Sequence, residues 1–232
     1  MLFARRGIDT YTKLCLNRPL ANNSTSFLDG SLYNRPVNAY GDTRWSNGAT
    51  KFGNSIYFDG TGDYLSVADS DDFELSNNLF TLDAWINMSA LPGTGQVKMI
   101  FAKWLVGPGV SYWFGFYNSG GNLNITFRYS TDGIGSPVLG FSVPLTGFST
   151  GVWEHFALVR SESNMTRTYR NGLSIGSHTD DYTIYSGTLI QAIGGSSAGD
   201  SNFINAYIAM PRISKGIARW TSNFTPPGNP YV

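Results

Sequence analysis

Charge is scarce in this sequence. Asp, Glu, Lys and Arg make up 14% of the 232 residues, against roughly 25% in ordinary globular chains. Sixteen basic residues balance sixteen acidic ones, so the basic excess of a nucleic-acid binder is missing. No apolar run approaches the ~18–20 residues of a membrane-spanning helix. The single Cys15 excludes a disulfide scaffold and a multi-cysteine zinc site. Two histidines, His155 and His178, and three glutamates, Glu74, Glu154 and Glu162, leave little material for acid–base chemistry. Residues 1–12 hold an Arg pair and no apolar core, so they do not read as a signal peptide. No segment of eleven or more residues repeats its apolar positions at the 3.6-residue helical period.

What is present is aromatic and β-patterned. Phe, Trp and Tyr make up 15% of the chain, and there are 27 glycines. Phe80, Leu82, Ala84, Ile86 and Met88 alternate with Thr81, Asp83, Trp85 and Asn87. A slip of one residue would invert the burial of that strand, so its register is strongly specified. Leu123, Ile125, Phe127 and Tyr129 alternate in the same way. Residues 112–117 and 153–160 are apolar on both faces, which predicts strands that are covered twice or that carry a ligand on one side. Asn171-Gly172 between two strand-like runs predicts a two-residue type I′ hairpin, whose central residues both need positive φ. About eleven to thirteen strands are expected over residues 13–213. The organisation expected is an N-terminal arm at 1–12, one all-β domain at 13–222 built as a two-sheet antiparallel sandwich, and a Pro-rich tail at 223–232 whose prolines exclude regular ladders.

Candidate binding residues follow from side-chain chemistry. Sugar rings stack on Tyr and Trp, which makes Trp85, Trp104, Tyr112, Trp113 and Tyr117 the glycan candidates; the competing use of such residues is core and interface packing. Asp59-Gly60-Thr61-Gly62-Asp63 places two carboxylates around flexible glycines, and hard oxygen ligands suit calcium. The competing reading is a turn in which Asp63 accepts backbone N–H groups. Calcium is the one cofactor the sequence leaves open. Eleven of the sixteen basic residues are Arg, and Arg5, Arg6, Arg18, Arg35 and Arg44 cluster in the first 45; Arg with Tyr is an interface-type composition, so these are the partner-binding candidates.

Several segments in order resemble the concanavalin A-like, laminin-G-like jelly-roll family: Phe52 to Leu65, Phe80 to Ile86, Trp153 to Arg160, Tyr169 to Gly172, and Arg212 to Trp220 with Phe224 to Pro227. Lys13 to Leu16 is similar to the family's first strand. The resemblance implies a jelly-roll sandwich. The ending RISKGxARW…FTPP resembles the versions of this domain in bacteriophage structural proteins. That implies a non-enzymatic virion protein of a tailed phage, made in the host cytoplasm and placed on the particle surface. A capsid decoration protein touching the major capsid protein comes first, with a homo-oligomer left open. The alternative is an adhesin module of a tail or head fibre that recognises host surface glycans. Glucanase relatives carry paired carboxylates on one strand face; none of the three glutamates here sits in such a pattern, so no catalytic residue is expected. Some relatives bind calcium with an acidic pair in the strand before the R-I-S segment; here Ala209 and Met210 stand in its place.

Overall fold

The computed structural model describes the chain except residues 1–6, 106, 135–138, 163, 180, 182, 199–201 and 232. Among the described residues, fifteen strands and one 3-10 turn at Asp71–Phe73 form two antiparallel sheets. The larger has β1 (Thr12–Cys15), β3 (Arg44–Ser46), β4 (Ser55–Asp59), β6 (Phe80–Met88), β11 (Glu154–Glu162), β12 (Met165–Arg170), β13 (Leu173–Thr179) and β15 (Asn205–Lys215). The smaller has β2 (Asn38–Tyr40), β5 (Tyr64–Val67), β7 (Val97–Lys103), β8 (Tyr112–Ser119), β9 (Asn122–Tyr129), β10 (Leu139–Pro144) and β14 (Gln191–Ile193). Fifteen strands exceed the number expected because β2, β3 and β14 are three residues each. Such strands are too short to show alternation and exist by pairing with longer neighbours.

The core lies between the sheets. Phe80, Leu82, Ala84, Ile86 and Met88 of β6 face it, as their alternation predicts. Phe116 of β8 meets Phe156 of β11 edge-on at 5.4 Å, and Phe80 lies 6.0 Å from Phe127 of β9. Burial of each such ring contributes about 2 kcal/mol. The hairpin between β12 and β13 turns at Asn171 (φ 51°) and Gly172 (φ 79°), as type I′ geometry requires.

The other face of β6 is buried too, although Thr81, Asp83 and Asn87 are polar. The reason lies in β15 and beyond. Opposite β6, β15 bulges between Ala209 and Arg212, with Met210 at φ 50°. Pro211 cannot donate to a ladder, so a bulge is where a strand accommodates it. The extra residue brings Arg212 opposite Asp83. The C-terminal segment then packs over this face: Phe224 stacks on Trp220 at 4.0 Å, and Tyr231 is buried against Asp83. The segment's described residues, 223–231, form no strand. At the other end, Asp9 receives Arg219 Nη2 at 2.8 Å, which ties residues ahead of β1 to the same face.

Candidate functional site

The outer face of the seven-stranded sheet is built by register. Ala102, Trp113 and Arg128 lie side by side across β7, β8 and β9, and Val97, Tyr117 and Asn124 form a second row. Between the rows sit Met99, Gly115, Thr126 and Ser142. Gly115 faces the β7 bulge, where an added Cβ would run into the Lys98 carbonyl and come within 2.8 Å of Met99 Cα. The face is therefore flat between Trp113 and Tyr117. Trp113 is the buried floor, 6% exposed, packed with Met99, Ala102 and Ala192; Trp104, Tyr117 and Tyr64 pack around it half-exposed. Tyr64 continues the aromatic surface by stacking on Tyr40 at 4.3 Å. The Arg128 guanidinium is half-buried, which lowers its pKa, and its Nη2 reaches Ser142 Oγ at 3.4 Å. Flat rings beside a cationic donor and Asn and Ser side chains can hold a sugar by stacking and hydrogen bonding.

Three of the five glycan candidates, Trp104, Trp113 and Tyr117, thus converge. Tyr112 does not belong with them. It is the strand neighbour of Trp113, so it points the other way, into the core, where it is fully buried and its hydroxyl donates to Gln191 Oε1 at 2.6 Å. Burial pushes its phenol pKa far up. Trp85 lies on the outer face of the other sheet, 9% exposed, where Lys51 Nζ sits 3.7 Å from the centroid of its ring. With Phe52 and Trp153 it lines a cleft of about 570 Å³.

The acidic loop gathers three carboxylates. Asp59 and Asp63 are joined by Asp42, with one oxygen of each within 4.8 Å of the others. Asp63 is buried and accepts the backbone N–H groups of Asp42 at 2.7 Å and Asp59 at 2.8 Å. Burial pushes its pKa up to about 6, against those hydrogen bonds, and the charges of Asp59 and Asp42 add to the rise. The donor set is right in kind for a hard cation but small in number, since calcium takes six to eight oxygens. Arg44 already offers a positive charge to Asp42 Oδ2 at 2.8 Å.

The arginines expected to meet a partner are dispersed. Arg18 is exposed. Arg35 is paired with Asp72 and donates to the Lys13 carbonyl at 3.2 Å. Arg44 serves Asp42 and lies over Tyr57. Two of the three described are thus used within the chain, because local aspartates satisfy them. Arg5 and Arg6 lie outside the described residues.

Around Asp83 the covered face holds a buried polar network. Asp83 Oδ1 accepts from Arg212 Nε at 2.9 Å, and Oδ2 accepts from the Tyr231 hydroxyl and lies 3.4 Å from His155 Nε2. Burial alone would raise the Asp83 pKa; the Arg212 charge and the contacts from His155 and Tyr231 outweigh it and hold the carboxyl below its ordinary value. Cys15 is fully buried nearby, and burial pushes its thiol pKa well up, so it is unreactive. Glu154 and His155 leave β11 in opposite directions, and both Glu154 oxygens are taken by Arg170.

Arg128, Asp42 and Lys51 were not legible as site residues. Each reaches its place through a strand pairing or loop approach distant in sequence. The one local signal was Tyr40-Gly41-Asp42, a turn in which Gly41 (φ 66°) lies against the Asp63 carboxylate.

Comparison with known proteins agrees with this architecture. Residues 59–219 match the family model described as the concanavalin A-like lectin/glucanases superfamily, Laminin_G_3. No curated protein matches the sequence. Among solved structures, the binding domain of Paraclostridial Mosquitocidal Protein 1 aligns with a TM-score of 0.65 at 14% identity, covering 88% of this chain and 49% of that one. Domain 4 of AbnA, a GH43 extracellular arabinanase from Geobacillus stearothermophilus, in complex with arabinotriose, aligns with a TM-score of 0.61 at 16% identity, covering 89% and 93%. The ligand-binding domain of botulinum neurotoxin serotype D in complex with N-acetylneuraminic acid aligns with a TM-score of 0.61 at 13% identity, covering 96% and 50%. The chain thus spans about half the length of the toxin domains and nearly all of the arabinanase domain. At these identities the likeness is one of fold. By the family match over residues 59–219, this chain belongs to the concanavalin A-like lectin/glucanase superfamily.

Proposed function

We propose that this protein is a non-catalytic carbohydrate-binding module that holds a glycan on the outer face of its seven-stranded sheet. The observation that carries this reading is the convergence of Trp104, Trp113 and Tyr117 beside Arg128 on one flat sheet face. The arabinotriose and N-acetylneuraminic acid complexes of two structural neighbours support a sugar as the ligand class. Absence of catalysis is part of the proposal: Glu154, the buried glutamate of β11, is held in an ion pair with Arg170. A glycan array is the direct test. Specific binding that is lost in Trp104→Ala and Tyr117→Ala, with the fold intact by circular dichroism, is expected; an array without any specific signal overturns the reading. Running it with calcium and then with chelator tests whether Asp42, Asp59 and Asp63 hold an ion that the sugar needs.

A second reading concerns setting. The segment Arg212 to Trp220 with Phe224 to Pro227 resembles phage structural proteins, which supports a module displayed on a virion and contacting other particle proteins. Immunoblotting purified particles tests it; absence from them removes the setting and leaves sugar binding untouched.

A further inference from the structure

The cleft at Trp85 lies on the opposite outer face from the sheet-face site, and the two readings are independent. It opens between the loop ahead of β4 and the C-terminal segment, and its volume of about 570 Å³ suits a small-molecule ligand. Its walls are apolar and ring-bearing: Phe52, Trp85 and Trp153, with Pro227 and its neighbours beside them.

The polar lining is one-sided. Lys51 brings an ammonium that rests on the Trp85 ring and has no carboxylate partner among the described residues. Its partial burial lowers its pKa, as expected where a cation gives up water without gaining a counter-charge. Asn171 spends its Oδ1 on the His155 backbone N–H at 2.9 Å, which leaves its amide NH₂ for the cleft. Glu154, the carboxylate next to Trp153 in sequence, is fully engaged by Arg170. The Lys51 ammonium and the Asn171 amide therefore line the cleft, without an opposing carboxylate in its lining. In a partly desolvated site such a charge interacts more strongly with an anion than it would in water.

We propose that this cleft binds a carboxylated sugar residue, its ring packed against Trp153 and Phe52 and its carboxylate paired with Lys51. A neutral sugar would leave the ammonium unpaired. An apolar ligand would leave the Asn171 amide unpaired as well.

Calorimetric titration tests this with two acidic probes, N-acetylneuraminic acid and trigalacturonic acid, against two neutral ones, N-acetylmannosamine and galactotriose. At least one acidic probe is expected to bind with a Kd below about 1 mM. It should bind about tenfold or more tighter than its neutral counterpart and weaken about tenfold in Lys51→Met. Lys51→Arg should retain binding, and so should Tyr117→Ala. The proposal is overturned if neither acidic probe binds, if the neutral probes bind equally well, or if Lys51→Met binds like the parent. Should binding survive Lys51→Met and fail in Tyr117→Ala, the sugar sits on the seven-stranded face: the cleft proposal falls and the carbohydrate-binding reading stands. Should the glycan array be lost on neither sheet-face variant while Lys51-dependent binding persists, the sheet-face site falls and the cleft stands. Lys51 is half-exposed on a loop, so Lys51→Met keeps the fold, which circular dichroism checks.

Discussion

On the eight-stranded sheet, the outward side of the central strand β6 carries Asp83 and Trp85 and is buried along its whole length, with Arg212, Arg219 and Tyr231 packed against it. On the seven-stranded sheet, the outward side of the central strand β8 carries Trp113 and Tyr117, and the surrounding Trp104, Tyr117 and Arg128 stay half-exposed. The first face uses polar groups to hold the chain's own ends; the second spends aromatic area on a surface that could serve a ligand. The difference teaches where charge is tolerated in this lightly charged protein. Buried ions survive where each has a partner, because removing them from water costs several kcal/mol per ion. The covered face meets that condition by pairing Arg212 with Asp83 and Arg219 with Asp9.

The largest expected effect attacks the covered face. Asp83→Ala strands the buried Arg212 without its carboxylate and should cost about 3–5 kcal/mol in urea unfolding, enough to threaten folding. Because the folded-state pKa of Asp83 is depressed, its contribution is present above the ordinary carboxyl value and is lost only as pH falls through the lower folded value. Tyr231→Phe comes next: it removes the hydroxyl donated to Asp83 while keeping the ring, and should cost about 2 kcal/mol, with faster proteolysis of the C-terminal segment. If Tyr231→Phe is as stable as the parent, the C-terminal segment is not what seals that face.

The acidic loop offers a weaker, pH-dependent effect. The Asp63 pKa is raised from 3.8 to about 6 in the folded state. Its stabilising contribution is therefore full below the unfolded value and is lost as pH rises through about 6. Stability from this group should fall as pH rises from about 3.8 to about 6, as read by melting temperature. If the three aspartates hold calcium, millimolar calcium should raise the melting temperature more at pH 7.5 than at pH 5.5. The smallest stability effect belongs to the open face: Tyr117→Ala should cost no more than about 1 kcal/mol, within the range of substitutions outside a core. A loss as large as that of Asp83→Ala would mean that both faces are structural and would erase the contrast.

Much of the fold was legible because strand alternation is a local property. The run Phe80 to Met88 assigns Leu82 inward and Asp83 outward without any knowledge of neighbours, and Asn171-Gly172 specifies its turn from two residues. The site was legible in part. Trp113 and Tyr117 differ by four positions in one strand and so share a face. Tyr112 qualifies as a sugar candidate by residue type alone, since the same alternation puts it on the opposite side from Trp113. Arg35 and Arg44 read as interface residues from composition; Asp72, distant in sequence, takes up Arg35, and Asp42, two positions away, takes up Arg44.

By itself, the sequence determined the all-β class, the register of its long strands and the family, because each depends on periodicity or motif order within short stretches. Only the tertiary structure decided that Asp83 is buried rather than solvated, that Asp42 joins Asp59 and Asp63, and that Lys51 rests on Trp85 in a cleft. Those facts depend on segments 17 to 148 residues apart meeting in space, and neither residue type nor period carries that information. The low charge of the chain was legible in its composition; it took the packing of β15 and the C-terminal segment on β6 to show that the Arg212–Asp83 ion pair is fully buried.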